Sequence, residues 1–295
     1  DCSTDQSLLI ANSFASSYEN IKIINHKENF KTSIARKTGL ENASGKYVWF
    51  IDSDDWIEPL SIKKLYEYAE DKNADLVLFD SYRVTYDGIK TPYYDLPKDA
   101  YELKDLMFYF RGFLWRKFIK RDIISPEFIA FQDSYITGED YLCSFEVLAN
   151  ASKIFIYNEC FYNYFCNESS ITQSLNTKES LLDNEYIIVN GIISIINKYQ
   201  FPCDIIKTEL KYLRNLFITR VCSNKTDIIR DKQIYIKSII SLFNREFEYR
   251  RLNSLSFFYY PNKYQWLIKL LGIGEYKIFL SIIKNSVKEK LKIND

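Results

Sequence analysis

Lys46-Tyr47-Val48-Trp49-Phe50-Ile51-Asp52-Ser53-Asp54-Asp55-Trp56-Ile57-Glu58-Pro59 is the stretch from which the fold is read. Five residues with strong strand preference, Tyr47 to Ile51, run without a polar break and predict a buried strand. The run ends on three carboxylates in four positions, Asp52, Asp54 and Asp55. Strands of α/β sheets point their carboxyl ends at the ligand crevice, so acidic side chains placed there face a site. An Asp-x-Asp pair puts both carboxylates on one side of an extended segment, which suits a hard divalent cation that also holds phosphate oxygens. A solvated acidic turn leading into a helix from Pro59 to Asp71 accounts for the same residues without a ligand.

Upstream, Ser3 or Thr4 caps a predicted helix that runs to Ser17. A short apolar strand follows over 21–25, then a helix over 32–42 that stops before Gly45. Helix and strand alternating at this spacing predict βα units and a mostly parallel sheet. Downstream, 75–79 repeats the buried-strand pattern, and 82–94 predicts a hairpin around Asp87-Gly88. From Glu102 the pattern turns to aromatic-rich helix and loop. Gly138-Glu139-Asp140 opens a helix to Asn150, and 153–157 predicts another strand. Past Ser170 the pattern is helical, over 178–199, 203–222, 226–248 and 262–292. The expected organisation is therefore an α/β domain over 1–170 and a helical region over 171–295.

Composition narrows the function classes. With 47% hydrophobic and 26% charged residues the 295-residue chain is globular. Lys plus Arg equals Asp plus Glu at 39 each, which gives no electrostatic argument for a nucleic-acid partner. The six cysteines include no Cys-x-x-Cys pair and are expected to be reduced thiols in a cytoplasmic protein. A single histidine, His26, argues against a His-rich zinc site and makes a Ser-His-Asp triad a poor candidate. No apolar run approaches the roughly 18 residues that a membrane helix needs. In the last predicted helix, Lys277, Lys284, Lys288 and Lys292 share one face, and Phe279, Ile282, Ile283 and Val287 another. That pattern suits either peripheral contact with the inner face of the plasma membrane or packing on the helix's own domain.

Several short motifs stand in a recognisable order. They are Asp1-Cys2-Ser3-Thr4-Asp5, Asn29 with Ala35-Arg36, Gly39-Leu40, Ser44-Gly45-Lys46-Tyr47 and Asp52-Ser53-Asp54-Asp55. Then come Trp115-x-Lys117-Phe118 with Lys120-Arg121-Asp122, Glu139-Asp140, and Tyr162-x-Tyr164 with Ser169-Ser170-Ile171. Over residues 1–172 this order resembles the family 2 glycosyltransferases, in particular the bacterial members that build surface polysaccharide. The resemblance implies a GT-A fold, a Rossmann-like mixed sheet, that binds a nucleotide-sugar and inverts the anomeric centre. It implies a UDP-linked donor, a glycan or lipid-linked acceptor, and Mg2+ or Mn2+ held by Asp54 and Asp52. Asp1 stands where the family contacts the base, and Arg36 is placed to reach uracil or phosphate, or else is a solvated helix charge. Asp140 is the expected general base, with Glu139, Trp115 and Lys117 on the acceptor side. Thr137-x-x-Asp140 is also a capping box, and a cap is compatible with a base because it fixes the carboxylate at the helix start.

This chain departs from the family pattern in three places. Phe30-Lys31 follows Asn29 where glycine is usual, Lys37 follows Arg36 where asparagine is usual, and Phe165 follows Tyr164 where many members have arginine. The Phe165 departure, together with the N-terminus, leaves open a nucleotide-sugar-binding or scaffold subunit with impaired catalysis. A phosphatase of the haloacid-dehalogenase type, with Asp52 as nucleophile, is disfavoured by Trp56. In the family's fold a strand, a helix and a second strand precede the position of Asp1, roughly 30 residues. The resemblance thus implies a fragment, with a gapped sheet or a displaced strand at 21–25.

Overall fold

A computed structural model describes residues 1–93, 96, 112–128, 131, 138–166, 180–199 and 201. Contacts divide the chain into two compact units, Asp1–Ser170 with Gly191–Phe201, and Ile171–Asn190 with Pro202–Asp295. Of the second unit, the described part is the helical segment 180–190. The predicted helices over 203–222, 226–248 and 262–292, with the basic face at Lys277 to Lys292, lie outside the described residues.

The sheet is built from β1 (Tyr47–Val48), β2 (Trp56–Ile57), β3 (Leu76–Val84), β4 (Lys90–Tyr93), β5 (Lys117–Lys120) and β6 (Ile154–Phe165). β3 is its spine: Leu76, Val77, Leu78 and Phe79 are buried in succession, the pattern of a strand covered on both faces. On one side β6 runs parallel to all of β3; on the other, β5 pairs with its first half and β4 with its second. β1 extends the sheet beyond β5, and β2 beyond β6. Among the described pairings only β3 with β6 is parallel. The sheet is therefore mixed, and the expectation of a mostly parallel one is corrected. The reason is local: the Thr85–Gly88 turn folds β4 straight back on β3, while the β3-to-β6 crossover contains a helix.

The helices are α1 (Ser7–Ser17), α2 (Lys31–Glu41), α3 (Ser61–Lys72), α4 (Glu139–Asn150) and α5 (Ser180–Lys198). α1 begins later than predicted, because Asp5 Oδ1, not Ser3 or Thr4, accepts the first helical N–H, that of Ser7, at 2.9 Å. α3 buries Leu65 and Ala69, four residues apart, and ends at Asn73 in the left-handed conformation usual for a helix stop. Lys31 also adopts a left-handed φ of 67°, at the place where the family pattern favours glycine.

Two strand expectations fail. The segment 21–25 forms no strand, and Ile21 and Ile24 are exposed, as are Leu9, Ile10 and Phe14 of α1. The run from Tyr47 keeps strand pairing for two residues only, and Ile51 is exposed. The apolar run is used in another way: Trp49 Nε1 donates to Trp115 O at 2.7 Å, and Phe50 packs against Phe131.

The core is aromatic. Trp115 lies stacked on Tyr162 (centroids 4.5 Å, planes at 16°) and on Tyr164 (5.6 Å, 5°), with Phe79, Phe118 and Phe161 in the same cluster. Each such pair adds about 0.5–1.5 kcal/mol beyond the area it buries. Within this interior Arg116 donates to Phe79 O at 3.1 Å and to Asp80 Oδ1 at 2.9 Å, where β6 bulges against β3.

Candidate active site

One guanidinium gathers three carboxylates from two distant parts of the chain. Arg36, on α2, has a side chain only 10% exposed. Its Nη2 donates to Asp52 Oδ1 at 2.9 Å, and its Nη1 donates to Glu139 Oε1 at 3.0 Å and to Asp140 Oδ1. The sequence offered Arg36 two roles, a nucleotide contact or a solvated helix charge; the structure buries it among acids. Those acids hold Arg36 firmly protonated, well above its ordinary range. Burial pushes Glu139 up to about 7; Asp140 beside it adds to the push, and Arg36 opposes it. Asp52 is pushed up as well, by burial first, against the pull of Arg36.

Asp140 reaches this cluster because α4 starts beside it. Gly138 is the N-cap, at a φ of 90° that favours glycine, so Asp140 is the second helical residue. Two acids in a first helical turn complement the partial positive charge of the helix start. Gly138 thus takes the cap position expected of Thr137, which lies outside the described residues.

The acidic loop after β1 is fastened to β6 by two residues to which the sequence assigned no role. The Tyr162 hydroxyl donates to Asp55 Oδ2 at 2.7 Å and accepts the Asp52 N–H at 3.0 Å. Asp55 Oδ1 accepts the Phe165 N–H at 2.8 Å. Burial pushes the Asp55 carboxyl up to about 6. Of the three acids in this loop, Asp55 therefore holds the backbone, Asp52 faces Arg36, and Asp54 is exposed. Phe165, at the position where many family members carry arginine, lies with its ring 6.3 Å from that of Trp56.

The remaining sequence candidates fall elsewhere. Asp1 Oδ1 accepts the Phe30 N–H at 2.9 Å, just before α2, and pairs with His26 Nδ1 at 2.9 Å. The other ring nitrogen of His26 meets Thr38 Oγ1 at 3.0 Å. Trp115 and Lys117, expected on the acceptor side, are interior residues, 2% and 1% exposed. Lys117 Nζ donates to Gly112 O at 2.6 Å and Phe113 O at 3.0 Å, and burial pushes its ammonium down to about 7. Both side chains are thus enclosed in the core and present almost no surface of their own.

Among the described residues no group of three His, Cys, Asp or Glu is placed to hold a metal ion by itself. Mg2+ needs only one or two carboxylates when substrate phosphates supply further oxygens. The exposed Asp54 and the partly exposed Asp52 fit that mode, a cation that arrives with a diphosphate. An open groove of about 620 Å³ at the start of α3, lined by Ile57, Leu60, Ile62 and Tyr66, contains none of these carboxylates.

The sequence model of "Glycosyl transferase family 2" matches residues 1–137. The chain is 32% identical over 214 residues to the cholesterol galactosyltransferase of Borreliella burgdorferi, covering 63% of this chain and 59% of that protein. It is 28% identical over 176 residues to the poly(ribitol-phosphate) beta-N-acetylglucosaminyltransferase TarP of Staphylococcus aureus, covering 58% of this chain and 53% of TarP. The chain thus spans between half and three fifths of the length of these curated relatives. Its fold is similar to that of S. aureus TarS residues 1–349 in complex with UDP-GlcNAc, with a TM-score of 0.65 at 19% identity, over 82% of this chain and 70% of that one. Among the described residues no helix is long and apolar enough to cross a membrane.

Proposed function

We propose that this chain, which matches the family 2 glycosyltransferase model over residues 1–137 and folds as a GT-A domain, is a glycosyltransferase that moves a sugar, with inversion, from a UDP-sugar to a glycan or lipid-linked acceptor in surface polysaccharide synthesis. The observation that supports this most directly is the meeting of Asp52, Glu139 and Asp140 at Arg36. It brings the acidic loop at the end of β1 together with the start of α4, so a donor-side carboxylate and a proton acceptor share one site. A nucleotide partner of UDP type is in keeping with the UDP-GlcNAc complex of the TarS structure.

Inversion in one displacement requires a base that takes the proton of the acceptor hydroxyl as it attacks. Asp140 is assigned that role, with Glu139 beside it orienting the acceptor. Asp54 and Asp52 are the residues that would hold Mg2+ or Mn2+, whose chemistry there is neutralisation of the diphosphate leaving group. The acidic loop and Arg36 orient; the proton moves to a carboxylate oxygen of Asp140.

The test is a panel of nucleotide-sugars, UDP-GlcNAc first, assayed for hydrolysis and transfer with Mn2+ present. Release of UDP that is lost in Asp140→Asn supports the enzyme. Tight UDP binding with no turnover of any sugar would replace it with a binding subunit.

A further inference from the structure

Arg36 does more than neutralise charge. Asp52 lies 16 residues from it in sequence, Glu139 and Asp140 more than 100, and all three meet on two nitrogens of one side chain. We propose that Arg36 is the positioning residue of the site: it ties the acidic loop after β1 to the first turn of α4 and so sets Asp52 and Asp140 relative to each other. The glycosyltransferase reading enters only in what those two carboxylates then do; the tie itself rests on the geometry.

Three observations favour a built joint over an incidental ion pair. Exposed pairs contribute little because water screens them and long side chains must be ordered. Arg36 is instead nine-tenths buried, and its three partners are 16–31% exposed. The second is stoichiometry. One positive charge faces three acids, so loss of Arg36 leaves like charges at close quarters with nothing between them, and the loop and the helix start are pushed apart. The third is shape. The carboxylates are divided between Nη1 and Nη2, an arrangement that the planar fork of a guanidinium provides and the point charge of a lysine does not.

Each element also has its own local anchor, and neither anchor joins the two. The loop is held to β6 through Tyr162 and Asp55, whereas α4 starts on Gly138. Among the described hydrogen bonds, those of Arg36 connect Asp52 to Glu139 and Asp140. Removing Arg36 should therefore loosen both segments together and leave each of them folded.

The test uses Arg36→Met and Arg36→Lys in the full chain, the second variant covering a failure of the first to fold. Amide hydrogen exchange is measured over 50–55 and 139–144, and kcat and KM for UDP-GlcNAc hydrolysis are measured beside it. Exchange is expected to accelerate in both segments, on the order of tenfold. kcat is expected to fall about 10²-fold, the usual cost of a misplaced catalytic group, with KM changed only a few-fold. In Arg36→Ala, millimolar methylguanidinium should restore part of kcat. Acceleration in one segment only, or in neither, overturns the tie. A loss confined to KM makes Arg36 a donor contact instead. If the wild-type chain hydrolyses no nucleotide-sugar, the functional reading fails, and the exchange result still decides the joint.

Discussion

Tyr162→Phe removes one oxygen from a ring that is fully buried and isolates the fastening between the sheet and the acidic loop. The hydroxyl serves two partners, donating to Asp55 Oδ2 at 2.7 Å and accepting the Asp52 N–H at 3.0 Å. A hydrogen bond to a charged group contributes about 1.5–3 kcal/mol and a neutral one about 0.5–1.5 kcal/mol. Their joint loss should destabilise the chain by about 2–4 kcal/mol, at a pH near 8 where Asp55 is ionised. The ring stays, so the stack on Trp115 is kept and no cavity larger than the oxygen forms. Urea unfolding followed by tryptophan fluorescence is the assay, because the rings of Trp115 and Trp49 lie 4.5 and 6.2 Å from that of Tyr162. Combining Tyr162→Phe with Asp55→Asn in a double-mutant cycle should give a coupling of about 0.5–3 kcal/mol. UDP affinity in Mn2+ should weaken as well, since the loop that carries Asp52 and Asp54 loses a fixed point. A Tyr162→Phe protein within about 0.5 kcal/mol of wild type, with no coupling to Asp55, would refute the fastening.

Asp140→Asn keeps the size of the side chain but cannot take a proton; transfer should fall about 10²–10⁴-fold while UDP affinity and melting temperature stay near wild type. Full activity with a lowered melting temperature would make Asp140 a helix-end charge only. Asp54→Ala should abolish the part of UDP binding that depends on a divalent cation, read by calorimetry with Mn2+ and with EDTA. Equal UDP binding in both solutions would remove the metal assignment. Lys117 gives a pH signature in stability. Its folded ammonium is pushed down to about 7 by burial, against an ordinary 10.5, so between those values the unfolded chain binds more protons than the folded one. Stability should therefore rise with pH across that window, and Lys117→Met should lose a slope approaching about 1.4 kcal/mol per pH unit. Parallel wild-type and Lys117→Met curves from pH 7 to 10 would show that Lys117 keeps an ordinary ammonium.

The elements legible in the sequence were those whose signal is local. α2, α3 and α4 lie within two residues of their predicted bounds, and the Asp87-Gly88 hairpin forms as expected. The strand over 153–157 is present but runs on to Phe165, because β3 offers it a partner along its whole length. What failed depended on neighbours distant in sequence. Tyr47 to Ile51 reads as a doubly covered strand, yet β5 is the only neighbour of β1 among the described residues. The aromatic run through Trp115 suits a sugar platform and a core equally by composition; which it is depends on Tyr162 and Tyr164, some 47 and 49 residues further on. The site divides in the same way. Motif order marked Asp52, Arg36, Glu139 and Asp140, and three-dimensional placement then showed them in one cluster. No pattern marks a tyrosine hydroxyl as the fastener of an acidic loop, so Tyr162 and Asp55 gained their roles only from the structure.

The charge arrangement of the site bears on how the proposed nucleotide donor would enter it. The chain as a whole is neutral, with 39 basic and 39 acidic residues. Around Arg36, however, Asp52, Glu139 and Asp140 share one cation, and Asp54 and Asp55 stand in the same turn as Asp52. Lys117 supplies only part of a further positive charge near neutral pH, because burial and the neighbouring Arg116 push its ammonium down to about 7. Glu139, pushed up to about 7, keeps part of a proton and relieves some of the excess, but not all of it. Two like charges about 4 Å apart repel by about 4 kcal/mol at the effective dielectric of a protein surface. A diphosphate approaching this loop alone meets that repulsion, whereas one accompanied by a divalent cation brings the missing positive charge with it. Nucleotide and cation are therefore expected to bind together, each raising the affinity of the other by the same factor. The sign for Asp54→Ala follows from the same reasoning. It should weaken UDP binding in Mn2+ and leave binding in EDTA unchanged or slightly stronger, since one repelling charge has gone. Strong UDP binding by the wild-type chain in EDTA would mean that positive charge from elsewhere reaches the site, and this electrostatic argument would fail.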